Sequence, residues 1–137
     1  MGLIRRQSID EKGNELWAGV DPVIYRALGG PLGRKNILIG PDEGAENFSL
    51  RIFEIPVGKH SKEEEHPHDH GVYIIQGKCR VLLGDKTHEV ETGDVVWVQP
   101  NEHHRFDNVG DETLRFLCVI PIWGEQDAHN SVAAPQR

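Results

Sequence analysis

The chain has 137 residues, with 22 acidic against 15 basic side chains and a formal net charge of -7, which suits one domain with one real core and argues against a nucleic-acid partner. Its two cysteines, Cys79 and Cys118, are too few for a disulfide scaffold and are expected as buried free thiols, with a thiolate ligand as the lesser alternative. No apolar run approaches the about 18 residues of a membrane span, and the Arg5, Arg6 pair is not followed by the apolar stretch of a secretory leader, so a cytoplasmic protein with no membrane contact is expected.

In chain order, residues 1–35 are mixed in pattern and broken by Asp21-Pro22 and Gly29-Gly30-Pro31, and they read as an arm with one or two short strands. Ile4, Leu16, Trp17 and Ile24 have few ways to be buried within that arm alone. From residue 36 to 125, short β-rich runs alternate with turns: Ile37 to Ile39, Phe48 to Ile55, Val72 to Gln76, Cys79 to Leu83, Thr87 to Val90, Val95 to Val98 and Leu114 to Ile120. Phe48, Leu50 and Ile52 alternate with Ser49 and Arg51, and Leu114, Phe116, Cys118 and Ile120 with Thr113 and Arg115, so the apolar set of each is expected to face the core. Gly77-Lys78, Gly84-Asp85 and Thr92-Gly93 read as tight turns that make consecutive strands antiparallel neighbours. Residues 126–137 read as a flexible tail. Many short antiparallel strands in one small domain must hide their edges, which predicts an all-β jelly roll or barrel.

Two polar clusters interrupt this pattern. Glu64, His66, His68 and His70 share parity ahead of an apolar strand, so an extended chain points all four to one side. The second cluster, Gln99 to Asn108, can fold back on the first and supplies His104. Imidazole and carboxylate converging from two places predict a metal site. His103, of opposite parity to His104, is expected outside it, and His60, His88 and His129 at the surface. Phe106 and Trp97 are expected as core or pocket walls, and Tyr73 and Arg51 are candidates to reach the cavity and orient a substrate.

The spacing resembles the cupin superfamily, whose double-stranded β-helix carries two motifs. Gly58, Glu64, His66, His70 and Gly77 fall in register with the first motif, with Glu64 at its first histidine and His70 where glutamate is usual. Gly93, His104 and Asn108 match the second, with Gln99 and Asn101 in place of its proline and glycine. Asparagine tolerates left-handed backbone, so the turn at Asn101 is expected to survive. The resemblance is strongest to small single-domain cupins with four histidines, which implies a manganese site, oxygen-dependent chemistry and a homodimer, with the N-terminal arm a candidate for exchange between partners. Carried over by position, it implies Glu64, His66, His70 and His104 as ligands, with His68 the competitor for the place of Glu64. Such a set suits one divalent first-row ion, Mn or Fe first, then Ni or Zn. The function expected is a metal-dependent enzyme of oxygenase type on a small organic molecule. The alternatives are a lyase or isomerase, a noncatalytic binding protein, and a barrel whose metal is purely structural.

Overall fold

The computed structural model describes residues 2–27 and 30–128. Eleven strands appear among them: β1 (Gln7–Ile9), β2 (Glu15–Trp17), β3 (Val23–Ala27), β4 (Gly30–Ile39), β5 (Phe48–Ile55), β6 (His70–Gln76), β7 (Lys78–Leu83), β8 (Lys86–Glu91), β9 (Val95–Val98), β10 (His104–Asn108) and β11 (Leu114–Pro121). Two 3-10 turns, Pro41–Glu43 and Ile122–Gly124, are the only helical pieces among the described residues, so none there is long or apolar enough to cross a membrane.

A six-stranded sheet in the order β3-β4-β5-β11-β6-β9 faces a three-stranded sheet in the order β10-β7-β8, and β1 with β2 forms a separate hairpin. All pairings are antiparallel. This is the all-β jelly-roll barrel that the turn and strand pattern predicts. The core between the sheets is Ile55, Val72, Ile74, Cys79, Val81, Val96, Val98, Phe106, Leu114, Phe116, Cys118 and Ile120. Each buried Val, Ile, Leu or Phe among these contributes about 1.5–3 kcal/mol of transfer free energy.

Of the three expected hairpins, only Gly84-Asp85 is one, joining Leu83 and Lys86 as paired ends of β7 and β8. The chain instead changes sheets after β6 and after β8, so neither β6 and β7 nor β8 and β9 are neighbours. Gly77 (φ 102°) and Gly93 (φ 93°) turn those corners in backbone conformations that a Cβ would strain. Local turn chemistry reports the reversal of the chain; which sheet receives the next strand is decided by packing.

Strand β5 departs from expectation more deeply. Ser49 and Arg51 are its buried residues at that end, and Phe48 is 43% exposed, so its polar face points inward. Alternation identifies two faces without saying which is inside, and here buried ionic partners at one end of the barrel reverse the usual assignment. Strand β11 follows expectation, with Leu114, Phe116, Cys118 and Ile120 all buried. Strand β10 was not anticipated at all, because HRFDN reads as polar loop. The arm also holds more strand than expected: β3 and β4 extend the large sheet, and β4 runs through residue 35. Of the expected tail, residues 129–137 lie outside the described residues, while Asp127 is tied down by Tyr25 and Lys35.

Candidate metal centre

Residues 59–66 run alongside β10 as an irregular edge, held by Ser61 N–H to Phe106 O (2.8 Å), Glu64 N–H to His104 O (3.1 Å) and His104 N–H to Glu64 O (2.9 Å). This pairing brings the two polar clusters together. Between them, Asn101 adopts φ 62° and donates its backbone N–H to His66 O at 2.7 Å, the left-handed turn expected of asparagine. His70 opens β6 and points inward with Val72 and Ile74; His104 opens β10, opposite Leu83.

His66, His70 and His104 each offer a ring nitrogen within 4.8 Å of the others. The rings of His66 and His70 lie nearly parallel at 4.6 Å, while His104 stands at 72° to His66. Their neighbours set which nitrogen is bare. His66 Nδ1 lies 2.8 Å from the carbonyl of His68, and His104 Nδ1 lies 2.8 Å from that of Glu102. A carbonyl only accepts, so both Nδ1 atoms carry the proton and both Nε2 atoms are free to accept. His104 Nε2 is buried without a hydrogen-bond partner, and His70 Nε2 lies 2.8 Å from His66 Nε2. A buried unpartnered acceptor costs about 1–3 kcal/mol, which a cation would remove. The residues therefore fit a metal ion.

Burial, joined by the charge of Arg51, pushes the His70 imidazole well below its usual range, and burial likewise lowers His104. Neutral rings are what a metal needs, since no proton must first be displaced.

Beside the histidines opens a cleft with about 710 Å³ of space, counting its mouth. One wall is ionic. Glu125, which follows the second 3-10 turn, accepts from Lys35 Nζ (2.7 Å), Ser49 Oγ (2.9 Å) and Arg51 Nη1 (3.3 Å). Burial raises the Glu125 carboxyl, yet Arg51 and Lys35 outweigh it and hold the group below its ordinary value. Arg51 also stands over the Phe53 ring at 5.0 Å and donates from Nη2 to Cys118 Sγ at 3.0 Å. Sequence reasoning reached Arg51 but missed Lys35, Ser49, Glu125 and Asp127. Lys35 and Glu125 are 90 positions apart, and no local pattern links them.

Arg51 lines the cleft, and Phe106 is buried with its ring 6.5 Å from that of His104. His68 is buried where the chain bends, so strand parity does not apply to it. Its ring stacks on His66 at 3.7 Å and meets the edge of Trp123 at 5.8 Å. A Cβ at Gly124 would come within 2.6 Å of that ring, so only glycine leaves the ring its place. Burial, then the neighbouring His66 and Arg51, push the His68 imidazole down to about 4. The Glu64 side chain is 45% exposed at the rim, with Oε1 3.9 Å from His66 Nε2.

Tyr73 and Trp97 do not line the cleft. They are 48% and 58% exposed on the outer face of the large sheet, where the indole N–H donates to Asp69 at 3.0 Å. Inward His70 and Val72 force Tyr73 outward, and inward Val96 and Val98 force Trp97 outward; both faces of β6 and β9 are apolar, so composition could not choose between them. His60 is not simply a surface residue but half-buried in the wall of the cleft. His103 pairs with Glu63 at 2.9 Å, away from the cluster. His88 is exposed, and His129 lies outside the described residues. Cys79 and Cys118 are both buried free thiols.

A family model described as Cupin domain matches residues 51–120. The 1-methylthio-D-xylulose 5-phosphate methylsulfurylase of Rhodospirillum rubrum is 33% identical over 108 residues, covering 76% of this chain and 67% of that protein. Among solved structures, a cupin-2 domain from Rhodospirillum rubrum superimposes with a TM-score of 0.70 at 30% identity, covering 90% of this chain and 80% of the other. The polyketide cyclase RemF of Streptomyces resistomycificus gives a TM-score of 0.67 at 28% identity, covering 86% and 83%.

Proposed function

Starting from the fact that the chain belongs to the cupin domain family, we propose that His66, His70, His104 and Glu64 hold one divalent first-row metal ion and that the protein is a metal-dependent enzyme acting on a small organic molecule. The observation that carries this is the meeting of bare Nε2 atoms, above all the buried, partnerless Nε2 of His104. Glu64 is the fourth donor in this proposal because its backbone is clamped to His104 on both sides and its Oε1 lies 3.9 Å from His66 Nε2. Mn or Fe is the ion we favour, and Zn or Ni meets the same donors.

When bound, such an ion supplies a Lewis acid that polarises a substrate oxygen. The protein's own groups do the rest. The cleft admits the substrate directly beside the imidazoles, with Tyr25, Phe53, Lys35, Arg51 and Glu125 in its lining. The charges of the ionic wall are paired through Glu125. His68, held neutral near pH 7 and facing the same cleft, is placed to hydrogen-bond a polar group of the substrate.

Two reactions fit this arrangement, and they divide on dioxygen. The relative named as a methylsulfurylase and the neighbour named as a polyketide cyclase support lyase or isomerase chemistry. The resemblance to four-histidine manganese cupins supports an oxygenase. Turnover of a substrate that persists under strict anaerobiosis selects the first; turnover that stops, with oxygen uptake in air, selects the second.

The metal reading is tested by elemental analysis of freshly purified protein. His66→Ala, His70→Ala and His104→Ala are expected to lose the ion, Glu64→Ala to lose most of it, and His68→Ala to keep it. Full metal in His66→Ala and His104→Ala overturns the reading. We also propose a homodimer, supported by the exposure of Ile4 (76%), Ile9 (68%) and Ile24 (46%) in the arm; a monomer mass in light scattering at high concentration contradicts it.

A further inference from the structure

We infer that Cys118 is a positioning residue for His70, its sulfur taking the Nδ1 side of that ring and Arg51 anchoring the sulfur in turn. The inference rests on His70 being a ligand, as proposed above.

The three histidines are held in two different ways. His66 and His104 give their Nδ1 protons to backbone carbonyls, which no substitution at the accepting residue would remove. His70 Nδ1 instead faces Cys118 Sγ at 3.3 Å. The sulfur is fully buried, directly opposite Arg51 in the β5–β11 register, and receives an N–H from Arg51 Nη2 at 3.0 Å. A chain of contacts therefore runs Lys35, Glu125, Arg51, Cys118, His70, from β4 through the segment after β11 to the edge of the metal centre.

An orientation requirement explains this expensive arrangement. Arg51 is only 4% exposed, and its Nε is buried without a partner. Glu125 meets the charge through Nη1, yet the guanidinium is aligned so that Nη2 reaches the thiol while Nε goes unpaired, an alignment that packing and charge pairing alone do not require. It fits a sulfur that must accept. For His70 Nε2 to be a ligand, Nδ1 must carry the ring proton and needs an acceptor. Sγ is the acceptor within reach; Arg51 fixes the sulfur by taking one of its lone pairs and leaves the other for the ring. Without a ligand on Nε2 the same pair can run the other way, with the thiol hydrogen pointing at Nδ1 and His70 Nε2–H at His66 Nε2. A thiol both donates and accepts, so it serves both tautomers.

The test is Zn2+ affinity of the metal-stripped full chain by competition with a chromophoric chelator, with 15N NMR of the His70 ring. Cys118→Ala is expected to weaken Zn2+ binding by about 10–100-fold, and Cys118→Ser, which differs from it by one oxygen, to recover most of that loss. In Zn-loaded wild type the His70 proton is expected on Nδ1. Equal, wild-type-like affinities in the Ala and Ser variants overturn the inference, since packing alone would not distinguish them. His66→Ala separates the two readings: if it too binds Zn2+ like wild type, the metal centre itself is wrong. The metal-free NMR then decides the contact alone, because the His70 ring nitrogen shifts move in Cys118→Ser if sulfur is the Nδ1 partner and stay if it is not. Should Cys118→Ala fail to fold, the Ser variant and the wild-type tautomer carry the test.

Discussion

The two ends of the barrel interior are built from opposite chemistry on the same strands. At one end, Ile55, Leu114, Ile74 and Cys79 close on one another with at most 1% exposure. At the other, the continuation of those strands presents Ser49, Arg51, Cys118 and His70, and the strand across from them begins with His104. One end is a plug that stabilises the fold; the other is a polar chamber whose groups are neutralised by each other. The lesson is that a barrel of this size tolerates a costly end because a dry end carries the stability.

That division can be broken at several points. Removing a ligand has the largest effect: His104→Ala is expected to lower Zn2+ affinity of the stripped protein by more than about 100-fold, read by the same chelator competition, with a fall in the apo melting temperature as well, since a buried ring leaves a cavity and its bond to Glu102 O is lost. In the ionic wall, Glu125→Ala leaves Lys35 and Arg51 buried without their shared carboxylate and is expected to cost about 3–5 kcal/mol in urea unfolding. At the dry end, Leu114→Ala is expected to cost about 2–5 kcal/mol by the same measurement, from lost contacts and an unfilled cavity.

Acid should dissect the polar end without mutation. The folded His68 imidazole sits near 4 against an ordinary 6.5, so its stabilising effect is complete above the unfolded value and is lost as pH falls from 6.5 through 4. Glu125 is also lowered, so its contribution fails only below the ordinary carboxylate value of 4.5. The apo melting temperature is expected to fall as pH drops below 6.5, with His70 and His104 adding to the loss from His68, and His68→Phe to make that fall shallower; a fall of unchanged steepness in His68→Phe contradicts the buried neutral ring. The smallest effect concerns the turn between the clusters. Asn101→Gly relieves the left-handed backbone and is expected to change stability by less than about 1 kcal/mol, while a β-branched residue there is expected to destabilise by more.

Much of this was legible beforehand where a signal is local. Strand β5 spans Phe48–Ile55 and β9 spans Val95–Val98, as their β-rich runs indicated. His66, His70 and His104 were recognisable from spacing, and the structure brings them together. Strand β10 was hidden because His104, Arg105, Asp107 and Asn108 look like loop residues until they pair with β7 from His104 to Asn108. Trp97 and Tyr73 misled because aromatic residues beside a motif suggest a pocket wall, and only strand parity measured from His70 turns them outward.

The amino-acid sequence by itself determined the strand runs, the turns and the residues capable of holding a metal, because each depends on neighbours a few positions apart. Only tertiary structure decided which face of β5 is inside, which sheet follows each glycine corner, and that Lys35, Arg51, Cys118 and Glu125 stand behind the histidines. Those outcomes depend on contacts between residues tens of positions apart, whose free energy exists only once the barrel has closed.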